Sequence, residues 1–208
     1  MSDEESSTNW TAASRGFIER HLSMEHMLPE RQPYYVGSWV YAFGVITIAS
    51  LVWVVTSGVI LAIFGPGWWH VSNVGHFFNS VHFWSVQVFF VFMVLHLWGQ
   101  YFGAGWRDGR APTWMVGAVV FLVTIVTAFT GYLSQQNFAS QWIAVNAKDA
   151  FNAGGIGAVF NVLNFGQMYG LHVMILPVVV ILLVSLHVIQ VRMRGVVKPI
   201  DLKVDQPQ

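Results

Sequence analysis

The chain has 208 residues, of which 55% are hydrophobic and only 10% are charged, with a mean hydropathy of +0.54 and a formal net charge of zero. This composition excludes a disordered chain and makes an integral membrane protein the expected class. The neutral balance offers no basic cluster for nucleic acid, and the lack of cysteine excludes disulfides, thiolate metal sites and covalent heme attachment in this chain.

The N-terminal region is polar and precedes any long apolar stretch. Residues 1–15 are acidic and lack the basic and apolar segments of a signal peptide. Residues 14–28 place Phe17 and Ile18 among charged side chains, which predicts a short amphipathic helix on the membrane surface. We therefore interpret residues 1–35 as a cytoplasmic tail with a surface helix.

Four apolar stretches are long enough to cross a hydrocarbon core of about 30 Å, which takes about 20 helical residues. They cover residues 36–64, 77–102, 113–133 and 166–191. Pro177 inside the fourth stretch predicts a kink. We expect an all-α, integral membrane four-helix bundle over 36–195 and a C-terminal cytoplasmic tail over 196–208. The long loop 134–165, between the third and fourth spans, should contain one or two short helices.

Lysine and arginine divide unequally between the two sides that four alternating spans create. Of the 10 basic residues, only Lys148 lies on the side opposite the termini. The others are Arg15, Arg20, Arg31, Arg107, Arg110, Arg192, Arg194, Lys198 and Lys203. By the positive-inside rule, we expect a multi-pass protein of a prokaryotic plasma membrane with both termini in the cytoplasm.

Four histidines lie inside the second and fourth spans, where ionisable groups usually mark function. His82 and His96 are 14 residues apart in the second span, and His172 and His187 are 15 apart in the fourth. Each pair lies along one helix face, with about 21–22 Å between its members. The two spans run in the same direction, so His82 shares a depth with His172, and His96 with His187.

The spacing therefore predicts two bis-histidine sites stacked across the membrane. Paired imidazoles on facing helices are typical of heme in a helical bundle. Zinc prefers a third or fourth ligand, and the sequence offers none at these depths. A lone histidine inside a span is more often a packing or proton-relay residue, but two matched pairs favour metal ligation.

Four glycines repeat the 14-residue interval. Gly44 and Gly58 lie in the first span, and Gly117 and Gly131 in the third. Glycine allows close approach to a helix backbone, so these positions could give room to the edge of a macrocycle. Ordinary small-residue packing between helices is the alternative for each of them.

Several short strings carry a resemblance to a known family. They are YAFGVIT at 41–47, SVHFWS at 80–85, LH at 95–96, TW at 113–114, GY at 131–132, and Arg192 five residues after His187. Together with the four histidines and four glycines, they resemble the N-terminal, four-helix, diheme half of cytochrome b. The similarity is strongest to the split, chloroplast-type form, and it extends over roughly residues 14–200.

The resemblance implies two noncovalent b hemes. His82 and His172 would ligate the lower-potential heme near the outer side, and His96 and His187 the higher-potential heme near the inner side. Arg192 would lie near the inner heme and the site of quinone reduction.

The resemblance also implies a function and partners. The chain would move electrons from quinol across the membrane in a cytochrome bc-type quinol oxidoreductase, and would not be active alone. Its partners would be a separate three-helix C-terminal half of cytochrome b, a Rieske-type iron–sulfur protein, a cytochrome c-type acceptor, a second copy of the complex and membrane lipid.

Two departures from the family pattern keep other functions open. Phe83 and Asn79 stand where the family commonly has arginine, and residues 133–138 read LSQQNF instead of a Leu-Pro-Trp-Asp-like string. Ala42 also replaces a cysteine that tethers an extra heme c in the split form, so we expect no covalent heme here. One alternative is a diheme membrane anchor that links the quinone pool to a molybdenum or nickel oxidoreductase without bifurcation. A bundle whose histidines only relay protons is another.

Overall fold

A computed structural model of the chain describes residues 10–21, 37 and 39–198. The helices in these residues are α1 (Trp10–His21), α2 (Trp39–Phe64), α3 (Pro66–Val71), α4 (Asn73–Phe102), α5 (Ala111–Leu133), α6 (Phe138–Ala153), α7 (Phe165–Gly170) and α8 (Leu176–Arg194). A π-helical turn, Leu171–Ile175, joins α7 to α8 without a break. No strand occurs in the described residues, so the predicted all-α class is confirmed.

Four helices are long and apolar enough to cross a membrane. They are α2, α4, α5 and the continuous helix Phe165–Arg194. The predicted four-span bundle is therefore confirmed, with different ends. Asn73 begins α4 four residues before the predicted start, because the hydroxyl of Ser72 accepts a hydrogen bond from Gly75 and caps the helix. The chain is a multi-pass membrane protein.

A short helix that the sequence reasoning missed follows the first span. Gly65 has a φ of 75°, which ends α2, and Pro66 then opens α3 at a position where proline is favoured. The string Gly65-Pro66-Gly67 therefore forms a turn between two helices, because proline is well suited to the first position of a helix.

The π-helical turn explains the unequal histidine spacing. His172 lies within Leu171–Ile175, immediately before the segment that contains Pro177. A π turn closes over five residues instead of four and so takes up one extra residue. The 15-residue interval between His172 and His187 thus returns to the same helix face as a 14-residue interval in a regular α-helix.

The loop over 134–165 forms one helix and a series of turns. The side chain of Asn137 accepts a hydrogen bond from the backbone of Ser140 and caps α6. Leu133, Ala144, Val162 and Met168 form a buried cluster that packs α6 and the following turns against the ends of α5 and α7. The loop therefore packs as a layer over one end of the bundle. It contains the helix α6, as expected from its length.

Hydrogen bonds between segments define the two ends of the bundle. At one end, which we call the loop end, Asn79 near the start of α4 pairs with Gln135 after α5. At the other, which we call the arginine end, Arg110 before α5 donates to the backbone of Arg194 at the end of α8. These contacts match the alternating order of the spans.

Helix α1 precedes the four spans in the sequence. It begins at Trp10 and ends at His21, so the predicted amphipathic helix over 14–28 is described only in its first part, and its remainder lies outside the described residues. Phe17 and Ile18 are exposed, and Arg15 forms an ion pair with Glu19 one turn later. Its location on a membrane surface, and the division of the chain at residues 35 and 195, stay predictions.

Candidate functional site

His82 of α4 and His172 of the π turn face each other near the loop end. Their ring centroids are 6.2 Å apart, and the ring planes cross at 82°. Two metal–imidazole bonds of about 2 Å each, added to the two ring radii, give a centroid separation of this size. The pair therefore has room for one metal ion between its rings.

An apolar cavity of about 150 Å³ lies beside this pair and is lined by both histidines. Val55, Phe89 and Val180 are among its other walls. Its only hydroxyl groups belong to Thr124 and Thr127, and each donates to a carbonyl of its own helix. A lining of this kind suits a flat hydrophobic group that is held through its metal.

His96 of α4 and His187 of α8 form the corresponding pair near the arginine end. The two side chains lie close enough to interact electrostatically. His96 follows His82 by 14 residues of α4, so the two pairs are about 21 Å apart along the helix axis. The structure thus brings the four histidines into the two pairs expected from the topology, and their role as ligands stays a prediction.

Three of the four rings are oriented by a backbone carbonyl of a neighbouring helix. Nδ1 lies within hydrogen-bond distance of that oxygen for His82 with Val54 (3.1 Å), His172 with Thr127 (2.9 Å) and His187 with Thr113 (3.0 Å). Because a carbonyl only accepts, Nδ1 carries the proton and Nε2 keeps its lone pair. Histidines that bind metals are usually oriented in this way.

Each of the four glycines lies against one histidine ring. The pairs are Gly44 with His96, Gly58 with His82, Gly117 with His187, and Gly131 with His172. A Cβ atom would lie 3.1 Å from the ring at Gly44 and Gly58 and 2.9 Å from it at Gly117. At Gly131 it would lie 2.7 Å from Nε2 of His172. The gap expected for the edge of a macrocycle is occupied by the imidazole itself.

Glycine and carbonyl act together at three of the rings. Val54 precedes Gly58 by four residues, and the same interval separates the other two carbonyls from their glycines. One turn of α2 or α5 therefore supplies both the space for a histidine ring and the acceptor that orients it. Reasoning from glycine spacing alone could not show this second contribution.

Polar atoms without a partner gather near the arginine end. Within the described part of the chain, the buried side-chain atoms that make no hydrogen bond are Trp69 Nε1, His96 Nδ1, Trp114 Nε1 and Gln190 Oε1. The last three belong to residues near the arginine end. Buried polar groups in proteins are almost always paired, often with a cofactor or an ordered water. Three of the four unpaired atoms therefore lie at the arginine end.

The sequence reasoning gave Gln190 no role. It is a polar residue inside an apolar span, three positions after His187, and that alone was a signal. Arg192, which the resemblance places near the inner heme, is exposed. It has no hydrogen bond or ion pair to the other described residues. Arg194 instead donates from Nη1 to Oγ1 of Thr113, at 2.8 Å.

Two of the departures from the family pattern bind each other at the loop end. Nδ2 of Asn79 lies 3.1 Å from Oε1 of Gln135, and Nε2 of Gln135 lies 3.0 Å from Oδ1 of Asn79. Asn79 precedes His82 by three residues, and Gln135 follows Gly131 by four. A neutral amide pair therefore links α4 to the end of α5 one turn beyond the first histidine pair.

Comparison with known proteins identifies the family. The sequence profile of the cytochrome b(N-terminal)/b6/petB family matches residues 87–207, more than half of the chain. The chain belongs to this family. Heme b is the cofactor of cytochromes b, and the resemblance deduced from the sequence strings is confirmed.

Individual relatives are distant in sequence. Cytochrome b6 of Heliomicrobium gestii is 30% identical over 138 residues, which cover 60% of this chain and 64% of the relative. Cytochrome b of Schizosaccharomyces octosporus is 27% identical over 206 residues, or 87% of this chain and 52% of the relative. The chain thus spans about half to two thirds of the length of the curated relatives it matches.

A solved structure shares the fold. A chain described as a hyperthermophilic respiratory complex III superposes with a TM-score of 0.69 at 21% identity, over 92% of this chain and 58% of that chain. The described residues fit heme b on their own geometry as well. Two imidazoles face each other with Nε2 free, the cavity beside them is apolar, and no cluster of three His, Cys, Asp or Glu occurs among the described residues.

Proposed function

We propose that this chain is the electron-transfer subunit of a cytochrome bc-type quinol oxidoreductase and carries two bis-histidine b hemes. The observation that supports this most directly is the facing pair His82 and His172, with a ring separation suited to one iron atom and an apolar cavity beside it. His96 and His187 provide the second site. Each heme, when bound, would accept and release one electron at a time.

The chain's own residues orient and enclose these sites. The carbonyls of Val54, Thr127 and Thr113 hold three imidazoles with Nε2 unprotonated. Apolar walls exclude water and lower the local dielectric constant, which strengthens electrostatic effects on the potential of each site. Two sites about 21 Å apart along one helix would connect the two membrane surfaces.

We place the loop end outside and both termini in the cytoplasm of a prokaryotic cell, because the basic residues favour that orientation. Quinol would be oxidised at the loop end, in a site completed by a separate three-helix C-terminal half of cytochrome b. A Rieske-type iron–sulfur protein would take one electron for a cytochrome c-type acceptor. The second electron would reach quinone at the arginine end, and the complex would be a homodimer.

Purification from native membranes in a mild detergent tests this function. We expect a Rieske-type protein and a C-terminal cytochrome b half to copurify, and added quinol to reduce the b hemes. The alternative is a diheme anchor, which the neutral Asn79–Gln135 pair also allows. It predicts a large molybdenum or nickel oxidoreductase in their place, and that subunit list would overturn the proposal.

We further propose that Arg192 contacts the bound group or quinone at the arginine end. It is exposed and makes no bond to other described residues, so its guanidinium is available to a carboxylate or to charge developing on a quinone oxygen. Arg192→Ala should slow reoxidation of the inner heme about tenfold or more and leave reduction of the outer heme unchanged. Arg192→Lys should have a smaller effect, because lysine keeps the charge without the planar fork.

Flash or stopped-flow kinetics of the two hemes measure this effect. Lys198→Ala is the matched control, since it removes an exposed cation from the same end. If Arg192→Ala behaves like Lys198→Ala, Arg192 is a topology anchor and has no role in the site.

A further inference from the structure

Thr113, whose carbonyl orients His187, also binds the side chain of Arg194. We infer that Arg194, held beside His187 by its hydrogen bond to Thr113, raises the reduction potential of the inner site through its charge. The inference rests on the proposed function, because it takes His187 to be a heme ligand. It concerns a residue to which the sequence reasoning gave no role beyond anchoring the topology.

Thr113 makes two contacts at once. Its carbonyl oxygen lies 3.0 Å from Nδ1 of His187, and its hydroxyl oxygen accepts a hydrogen bond of 2.8 Å from Nη1 of Arg194. Thr113 is 7% exposed, so its carbonyl and hydroxyl oxygens are buried, and Arg194 reaches the hydroxyl from an exposed position at the end of α8. A hydrogen bond from a charged donor is stronger than one from a neutral donor.

Arg194 and His187 lie on one face of α8, because they are seven residues apart, which is close to two helical turns. That face packs against the first turns of α5, where a Cβ at Gly117 would meet the His187 ring. Arg192, two residues earlier, is on another face and does not reach Thr113. Arg194 therefore contacts Thr113 from its position on α8, whereas Arg192 does not.

The backbone that carries Arg194 is itself held in place. Arg110 donates from Nη2 to the carbonyl of Arg194 at 3.0 Å and from Nε to that of Gly195 at 3.2 Å. Arg107 donates to the carbonyl of Lys198 at 2.7 Å, and the side chain of Val197, just before Lys198, is buried. The segment after α8 is therefore fixed on the loop before α5, which keeps Arg194 beside Thr113.

The sign of the effect follows from charge. Reduction adds one electron to the inner site, and a nearby guanidinium stabilises the added negative charge. Without Arg194, the reduced form loses that stabilisation and the potential falls. The hydroxyl of Thr113 accepts the hydrogen bond from Arg194 and so keeps this charge at a fixed position beside the site.

Redox titration of each heme in the purified complex tests the inference. We expect Arg194→Gln to lower the reduced-to-oxidised ratio of the inner heme roughly threefold to tenfold at a fixed ambient potential. A tenfold change corresponds to about 59 mV for a one-electron couple. Arg194→Lys should restore most of the shift, and Lys198→Gln, which removes one charge from the same end, should give less than half of it.

Thr113 supplies a second, independent measurement. Thr113→Val keeps the carbonyl and Arg194 but removes the accepting hydroxyl, which frees the guanidinium to move away from the site. The potential of the inner heme should therefore fall as in Arg194→Gln, by a smaller amount. Thr113→Ser keeps the hydroxyl and should match the wild type. This comparison decides the question in the same way if Arg194→Gln does not assemble.

Three results would overturn the inference. They are equal shifts in Arg194→Gln and Lys198→Gln, equal shifts of both hemes, and a Thr113→Val potential equal to that of the wild type. In each of these cases both hemes are still bound, so the proposed function stands. A wild-type chain without b heme would instead refute the proposed function itself.

Discussion

Alanine at His82 and alanine at His172 should remove the same heme and leave the other bound. The centroids of the two rings are 6.2 Å apart, so both side chains would hold the same heme. Loss of either leaves a single imidazole, so the group at that site is held by one protein ligand instead of two and binds more weakly. We expect b heme per chain to fall by about half in both variants, with loss of one spectral component.

His96→Ala and His187→Ala should remove the other component. Redox difference spectra resolved by potentiometric titration assign each loss. His76→Ala is the control, because His76 is exposed in the first turn of α4. A shared loss in His82→Ala and His187→Ala, with the second component spared, would show that the pairing deduced from the topology is wrong.

Alanine at Gly131 should expel the heme at the loop end almost as completely as loss of a histidine. The added Cβ would lie 2.7 Å from Nε2 and 2.8 Å from Nδ1 of His172, well inside van der Waals contact. The ring must then shift away from its hydrogen bond to Thr127. The expected result is at least a halving of the heme at that end, while the heme at the arginine end stays.

The other glycines should follow in the order of their contacts. Gly117→Ala brings the Cβ to 2.9 Å from the ring of His187 and should be intermediate. Gly44→Ala and Gly58→Ala bring it to 3.1 Å and should be mildest. Heme content by redox difference spectrum measures the series.

Gly170→Ala is the matched control for this series. A Cβ at Gly170, in the same span as His172, meets nothing within 4 Å. Alanine is favoured over glycine in a helix by about 1 kcal/mol, so we expect no loss of heme. Full heme content in Gly131→Ala would contradict a role for that glycine in receiving the ring.

The spans and the histidine pairs were predictable because they depend on local rules. Length and hydropathy locate membrane helices, and a helix returns to the same face at fixed intervals. His82 and His96 show this directly, since α4 is a regular helix between them. The direction of each span then determines which histidines share a depth.

The remaining features depend on contacts between helices, which a linear pattern does not encode. The π turn around His172 lies just before the segment that contains Pro177, and nothing in the 15-residue interval distinguishes it from a rotated α-helix. The hydrogen bond between Arg194 and Thr113 joins residues 81 positions apart. The pairing of Asn79 with Gln135 likewise becomes visible only when α4 and α5 are placed together.

The number of b hemes per chain tests most directly whether this protein carries two bis-histidine sites. Pyridine hemochrome analysis of the purified wild-type protein, with the polypeptide quantified by amino-acid analysis, gives that ratio. We expect about two b-type hemes per chain, all extractable by acid acetone, because the chain has no cysteine to form a thioether bond. A ratio of one or zero, or heme that stays covalently attached to this chain, would contradict two noncovalent bis-histidine sites.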